Sequence, residues 1–372
     1  MARNNTKLFK HLSIASLMTL VGVFFIAPTS AQAAVSGSWK YSAANGKVRI
    51  DGCAVKCPSN LVIPATLGVD NNNLPVTSLG DSAFAFNSLT SVSIPPSITS
   101  IGTYVFAYNG LASIDIPSTL TSIGPKAFAG NSLRSLDIPS SVTSIGREAF
   151  AGNSLHSINI PSSVTSIGES AFSYNPMTSL TVAAENTSFS SLNNVLFNKN
   201  KTTLVDYPDG LAKTYNIPSR VTNIEDSAFA FDSMTNVNIP SSVTRLGSLA
   251  FYGNKLTSVT ISPNVTSIGY NVFASNSITR LTILSGVKSI GFGEFSGNKL
   301  ASVTIPSSVT NIDDSAFAAN RISAIRFIGN APRASSSSFQ GAMKNAKAYR
   351  HKSAKGFPRK GVKWNGLITA EW

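Results

Sequence analysis

A phenylalanine returns every 22 residues along most of this sequence. It stands at Phe84, Phe106, Phe128, Phe150 and Phe172, and again at Phe229, Phe251, Phe273, Phe295, Phe317 and Phe339. The interval from Phe172 to Phe229 is 57 residues, two periods plus 13. A unit of 22 residues cannot bury its own apolar face, so units of this kind must stack, each covering the next. That requirement outweighs any local propensity and excludes most globular folds.

Other columns keep the same period. Asn follows Phe by three at Asn87, Asn109, Asn131, Asn153, Asn175, Asn254, Asn276, Asn298 and Asn320, with Asp232 as the exception. Gly precedes Phe by four at Gly80, Gly102, Gly124, Gly146, Gly168, Gly247, Gly269 and Gly291, while Glu225 and Asp313 depart. In the unit Ser154 to Asn175, Ile158 and Ile160 alternate with Asn159, the period of a strand with one face buried. Pro161 ends that strand. Val164 and Ile167 supply a second inward pair, and Gly168 a tight corner or a positive φ. Ser170-Ala171-Phe172 suits one helical or 3-10 turn, and Asn175 supplies hydrogen bonds to turn backbone. Stacked strands about 4.8 Å apart give a rod on the order of 60 Å long.

The pattern L-x-x-I-x-I-P-x-x-V-T-x-I-G-x-x-A-F-x-x-N, over about residues 38–345, resembles the BspA-like, or Treponema-type, leucine-rich repeats of bacterial surface antigens. The resemblance implies a mostly β chain: a right-handed leucine-rich-repeat solenoid of 22-residue coils with short parallel strands and short helical or 3-10 turns. It implies a secreted or cell-surface protein that binds a protein or cell-surface ligand, with adhesion as one expected use and no common catalytic site. The expected organisation is a signal peptide at 1–33, an N-terminal cap and lead-in coil at 34–79, repeats at 80–328, and a last coil with a basic C-terminal cap at 329–372. An irregular coil inserted at 183–216 is expected as a hairpin bulging from the stack.

The signal peptide rests on its own residues. Arg3, Lys7 and Lys10 precede an uncharged apolar stretch from Leu12 to Ile26, and Ala31-Gln32-Ala33 offers a small-x-small cleavage site. The stretch is short of the ~20 residues of a membrane span, and no second one exists, so no transmembrane segment is expected in the mature chain. Export to periplasm, cell surface or medium gives Cys53 and Cys57 the reading of a structural disulfide.

Lys plus Arg number 30 against 17 acidic residues, a formal charge of +13. Three positives lie in the export signal. Nine positives and one acid lie from Arg333 onward, and the 34–332 stretch holds 18 and 16. The charge is therefore a local basic end, with Lys344, Lys347, Arg350, Lys352, Lys355, Arg359, Lys360 and Lys363 as a candidate polyanion patch among Tyr349, Phe357, Trp364 and Trp372. An exported protein meets anionic polysaccharide or lipopolysaccharide sooner than nucleic acid, and nucleic acid is not expected as a partner. The second reading of these aromatics is a cap on the last coil.

The candidate binding face is the outward strand column Ser93, Asp115, Asp137, Asn159, Thr181, Asn238, Thr260, Thr282, Thr304 and Arg326. It contains no aromatic anchor of the kind common at binding hot spots. A Thr column (Thr77, Thr99, Thr121, Thr143, Thr165, Thr222, Thr244, Thr266, Thr310, broken by Lys288) raises ice binding as a remote alternative. His156 and His351 have no ligand or triad partners at useful spacing. No nucleophile elbow, phosphate loop or zinc motif occurs, so neither an enzyme, a metal nor a cofactor is expected.

Overall fold

The computed structural model describes residues 34–69 and 72–372; the expected signal peptide lies outside them. The described chain is built of short strands and turns, with no helix among the described residues. It is a β-solenoid of stacked coils.

Each coil contributes to two ladders. The second of the two is the more regular. Its rungs are two residues long, as in Ser100–Ile101, Ser122–Ile123, Ser144–Ile145 and Ser166–Ile167, which pair in parallel and in register. The Ile points inward and is essentially buried at the first three of these rungs. The same ladder resumes through Thr203–Asp206, Asn223–Ile224, Arg245–Leu246 and Ser267–Ile268, then through Ser289–Ile290, Asn311–Ile312 and Arg333–Ala334.

The first ladder carries the longer strands and is interrupted. Ser157–Ile160 pairs with Ser179–Val182, Ser258–Ile261 with Arg280–Ile283, and Ser302–Ile305 with Ala324–Phe327. Each pair is closed by a rung from the residue after the upper strand: Ala183 N to Ile160 O at 2.9 Å, Leu284 N to Ile261 O at 3.1 Å, Ile328 N to Ile305 O at 3.0 Å. Where that residue is Pro117, Pro139, Pro161 or Pro306 there is no N–H to close the rung and the junction does not pair. Proline alone does not set the pattern. Asn60–Val62 pairs with Ser91–Ser93 and Thr214–Asn216 with Asn236–Asn238 despite Pro95 and Pro240, and Ser258–Ile261, followed by Ser262, does not pair with Asn236–Asn238. Asp115 and Asp137 sit outside the strands, on backbone that pairs in neither direction.

The Phe column is the spine. Successive rings from Phe84 to Phe172 lie 5.4–6.0 Å apart and nearly parallel. From Phe229 to Phe339 they lie 4.9–5.8 Å apart. Spacings of this size are those of favourable offset ring pairs. Trp39 meets the first ring edge-on at 6.2 Å, and Trp364 meets the last at 6.0 Å. Tyr207 fills the gap at the insert. It lies 22 before Phe229, stacks on it at 5.0 Å, and its N–H bonds Ala228 O as each Phe N–H bonds the next coil.

Three expectations change. The turn before each Phe is not helical. Glu148, Phe150 and Gly152 donate to Glu169, Ala171 and Ser173 of the next coil, while only Ala149 and Ala151 bond within their own turn. Glu148 and Gly152 have φ of 52° and 68°, and left-handed residues stop a right-handed helix. Second, the Gly column does not supply positive φ. It supplies close approach: Gly168 N reaches Ile145 O at 2.8 Å, and a Cβ on Gly168 would lie 2.3 Å from Arg147 N.

Third, the insert is a hairpin but does not bulge away. Phe189–Leu192 pairs antiparallel with Val195–Asn198, which pairs antiparallel with Thr203–Asp206, and that strand continues the second ladder. Val195, Leu196 and Phe197 are fully buried. The apolar core divides here into two clusters, Leu196 packing with the first and Val195 and Phe197 with the second.

The ends are capped. Five strands within 34–79 form a sheet over the first coil, and Cys53 and Cys57 are joined by a disulfide after its third strand. At the other end Lys347–Arg350 pairs with Leu367–Glu371, which turns back antiparallel on Lys363–Trp364. Asn365 and Gly366, both at positive φ, make the tight turn.

Candidate functional site

The polar columns divide into those that hold the coils together and those that face solvent. Asn153 is buried. Its amide donates to Phe128 O and Phe150 O at 3.0 Å, and its Oδ1 accepts Leu133 N–H at 3.0 Å, so one side chain ties two coils. The Thr column is tied in the same sense. Thr121, Thr143 and Thr165 Oγ1 donate to the carbonyl of the preceding coil's Thr at 3.0–3.3 Å.

At two places a carboxyl occupies such a structural column. Glu294 stands where most other coils have Ala or Val, is 1% exposed, and accepts Gly291 N–H at 2.8 Å. Burial pushes its carboxyl up to about 8. Asp232 replaces the column Asn and is buried beside Asp209 at the insert. Burial and the neighbouring carboxyls Asp209 and Asp206 raise it well above the carboxylate range, and Lys213 opposes them. No set of three or more His, Cys, Asp or Glu among the described residues is arranged to hold a metal ion.

The solvent-facing strand column is intact. Ser93, Asp115, Asp137, Asn159, Thr181, Asn238, Thr260, Thr282, Thr304 and Arg326 are all exposed. Register brings Asn159 opposite Thr181, Thr260 opposite Thr282, and Thr304 opposite Arg326. Thr181 Oγ1 donates to Asn159 Oδ1 at 3.0 Å.

At its C-terminal end this column gains what its sequence lacks. Arg326 faces Tyr349 in the adjoining strand, and Tyr349 faces Ala370 in the next. Trp372 folds back so that the Arg326 guanidinium lies 4.0 Å from the centre of its indole, a cation–π contact. The His351 ring meets the same indole edge-on at 5.6 Å. Lys347, two residues before Tyr349, holds its Nζ 5.9 Å from the Tyr349 ring. Ser302, Thr304, Ala324, Arg326, Tyr349 and Trp372 line a shallow depression of about 390 Å³.

The basic residues near this end separate by place. Lys347 and Lys363 lie on strands that both pair with Ile368. Lys344, Lys352, Lys355, Arg359 and Lys360 are exposed on turns and loop. Arg350 does not belong to a surface patch. It is 7% exposed, ion-paired with Glu371 at 3.2 Å, and donates to the carbonyls of His351, Lys352 and Pro358. Strand alternation explains this: Tyr349 points out, so Arg350 points in.

A second exposed feature escaped sequence reasoning. Two residues after each column Phe the backbone is left-handed, and Gly130, Gly152, Gly253, Gly297 and Gly341 take that position. Phe86, Tyr108, Tyr174 and Phe231 occupy it too, at φ of 55–65°, and all four are exposed. Phe86 stacks on Tyr108 at 4.7 Å, and Tyr174 lies 5.3 Å from Phe231. The signal was a column in which Gly and aromatics share one position, with Ser275 and Ala319 as the exceptions.

Solved structures of similar fold come from bacteria. A leucine-rich repeat protein from Eubacterium ventriosum is 24% identical, with a TM-score of 0.64 over 89% of this chain and 97% of that one. The pneumococcal vaccine antigen PcpA is 19% identical, with a TM-score of 0.60 over 88% and 95%. A leucine rich cell surface protein from Faecalibacterium prausnitzii is 24% identical, with a TM-score of 0.52 over 85% and 93%. At these identities the likeness is one of fold. No curated protein matches the chain. The family model described as BspA type leucine rich repeat region matches in six copies over residues 77–204 and 211–345. Since those stretches make up most of the sequence and coincide with the stacked coils, the chain belongs to the BspA-type leucine-rich repeat family.

Proposed function

We propose that this protein is an exported, non-catalytic recognition protein of the bacterial envelope, which binds a protein or surface ligand through the outward side chains of its first ladder. One observation carries the reading. The exposed column ends in Arg326, Tyr349 and Trp372, a cation and two aromatic rings brought together by strand register and a cation–π contact. Tyr, Trp and Arg are the residues most enriched at binding hot spots. The second-ladder Thr column is differently employed, its hydroxyls being tied into coil-to-coil hydrogen bonds. The descriptions of the Faecalibacterium cell surface protein and the pneumococcal antigen agree with a surface role. Among the described residues no helix is long and apolar enough to cross a membrane.

The test sets one face against the other. Fluorescently labelled protein is bound to intact cells and to matrix-coated surfaces. Thr260→Glu with Thr282→Glu, on the first ladder, should lower binding at least about tenfold, the effect of removing roughly 1.4 kcal/mol. Thr244→Glu with Thr266→Glu, on the second ladder, should leave it unchanged. The reverse ranking would overturn the assignment of the face.

A further inference from the structure

We infer that the C-terminal end of the first ladder binds an acidic polysaccharide, its carboxylates meeting Arg326 and Lys347 and its sugar rings lying against Tyr349 and Trp372. The inference rests on the reading of this face as the recognition surface and adds the class of ligand.

The cations at this end are unpaired. Arg280, Arg326, Lys347 and Lys363 are exposed, and none has an ion-pair partner among the described residues. The acid nearest in the fold, Glu371, is committed to Arg350. The outward strand positions from Arg280 to Ala370 hold no carboxylate at all, whereas Asp115 and Asp137 stand toward the other end. The face therefore has a positive end whose potential is not cancelled locally.

Arg326 is also prepared. A guanidinium stacks through its flat face and donates through its edge. The Arg326 guanidinium carbon lies over the Trp372 ring, and Arg326 makes no ion pair among the described residues. It is held in place and free to take a carboxylate by two parallel hydrogen bonds. Trp372, 47% exposed, and Tyr349 add ring surface beside it.

The shape and chemistry of the rest of the face favour a glycan over an acidic peptide. The depression is shallow and open, and the column leading out of it is Thr304, Thr282, Thr260 and Asn238. These are hydroxyls and an amide repeated at the coil spacing, ~4.8 Å. An extended peptide would find no apolar pocket along that path for its side chains. A chain of hydroxylated rings finds hydrogen-bond partners at each coil. Lys352, Lys355, Arg359 and Lys360 are exposed on the loop between the last strands and supply general, salt-sensitive attraction.

The experiment is a titration of the purified protein with sodium polygalacturonate at physiological salt, alongside neutral dextran and poly-L-glutamate. Arg326→Ala and Trp372→Ala should each weaken polygalacturonate binding at least about tenfold, the scale of a lost cation–π or charge-assisted contact. Lys352→Ala with Lys360→Ala should weaken it less than about threefold and flatten its salt dependence. Dextran and polyglutamate should bind at least about tenfold more weakly than polygalacturonate. Unchanged melting midpoints certify the variants, and Arg326→Lys, which keeps charge but loses the planar fork, serves if Arg326→Ala does not fold. Equal binding of polyglutamate, or a larger loss from the loop variant than from the face variants, overturns the inference. If polygalacturonate fails while the Thr260 and Thr282 substitutions still abolish cell binding, the ligand class is wrong and the recognition face stands.

Discussion

At the scale of single residues, each column does one physical job, and the jobs differ in how plainly the sequence declares them. The Phe column is the plainest. Phe150 is fully buried between Phe128 and Phe172, so Phe150→Ala should cost about 3–5 kcal/mol in urea unfolding. An unchanged midpoint would remove the Phe spine from the account. The Asn column was legible as a source of turn hydrogen bonds, but that one side chain joins two coils needed the stacked geometry. Tyr207 was hidden because a different aromatic carried the register across the insert. The Gly column was visible but ambiguous: positive φ and close approach both call for Gly, and spacing alone does not choose.

Glu294 gives this scale a pH dependence. Its ordinary carboxyl value is 4.5 and burial raises it to about 8, so the folded state holds the proton that the unfolded state releases. Its contribution is complete below pH 4.5 and is lost as pH rises toward 8, at up to about 1.4 kcal/mol per pH unit. Glu294→Gln should flatten the wild-type stability profile over that interval. Parallel profiles for the two proteins would show that Glu294 is ionised in the fold.

At the scale of elements, the closing rung of a first-ladder pair depends on the N–H of the residue after the upper strand, a donor that proline lacks. Ala183 N–H closes the rung to Ile160 O, and a Pro there removes the donor. Ala183→Pro should weaken protection from exchange at 179–182 and destabilise by roughly 1–3 kcal/mol, the cost of orphaning a buried partner. Full protection of those amides after the substitution would show that this rung does not hold the pair. The Pro that ends each strand was plain in the sequence, but which junctions pair was not, since the coils of Pro95 and Pro240 pair and that of Pro139 does not.

The aromatic end of the face was illegible for a countable reason. Twenty-two residues after Arg326 lies Ala348, and the coil holds one residue more, so Tyr349 takes the column. Trp372 arrives only after the loop and hairpin that cap the array. The helical turn was a reasonable reading of Ser-Ala-Phe. It fails because alternate amides there belong to the next coil, a demand no local propensity reports.

At the scale of the molecule, the chain is a stack whose spine is closed by Trp39 at one end and Trp364 at the other. Two apolar clusters meet at the inserted hairpin, and the buried Asp232 and half-buried Asp209 lie in the same region. The stacking and the basic end were read from period and charge. That the basic end and the strand face are one continuous surface follows only from the register of the last strands.

That continuity is the central claim, and hydrogen exchange tests it most directly. Amide exchange of the purified protein is followed with and without saturating polygalacturonate. The account predicts added protection in Ser302–Ile305, Ala324–Phe327, Lys347–Arg350 and Leu367–Glu371, fading toward Ser258–Ile261. Protection confined to the loop 351–362, or spread along the exposed Phe86 and Tyr108 ridge, would contradict it.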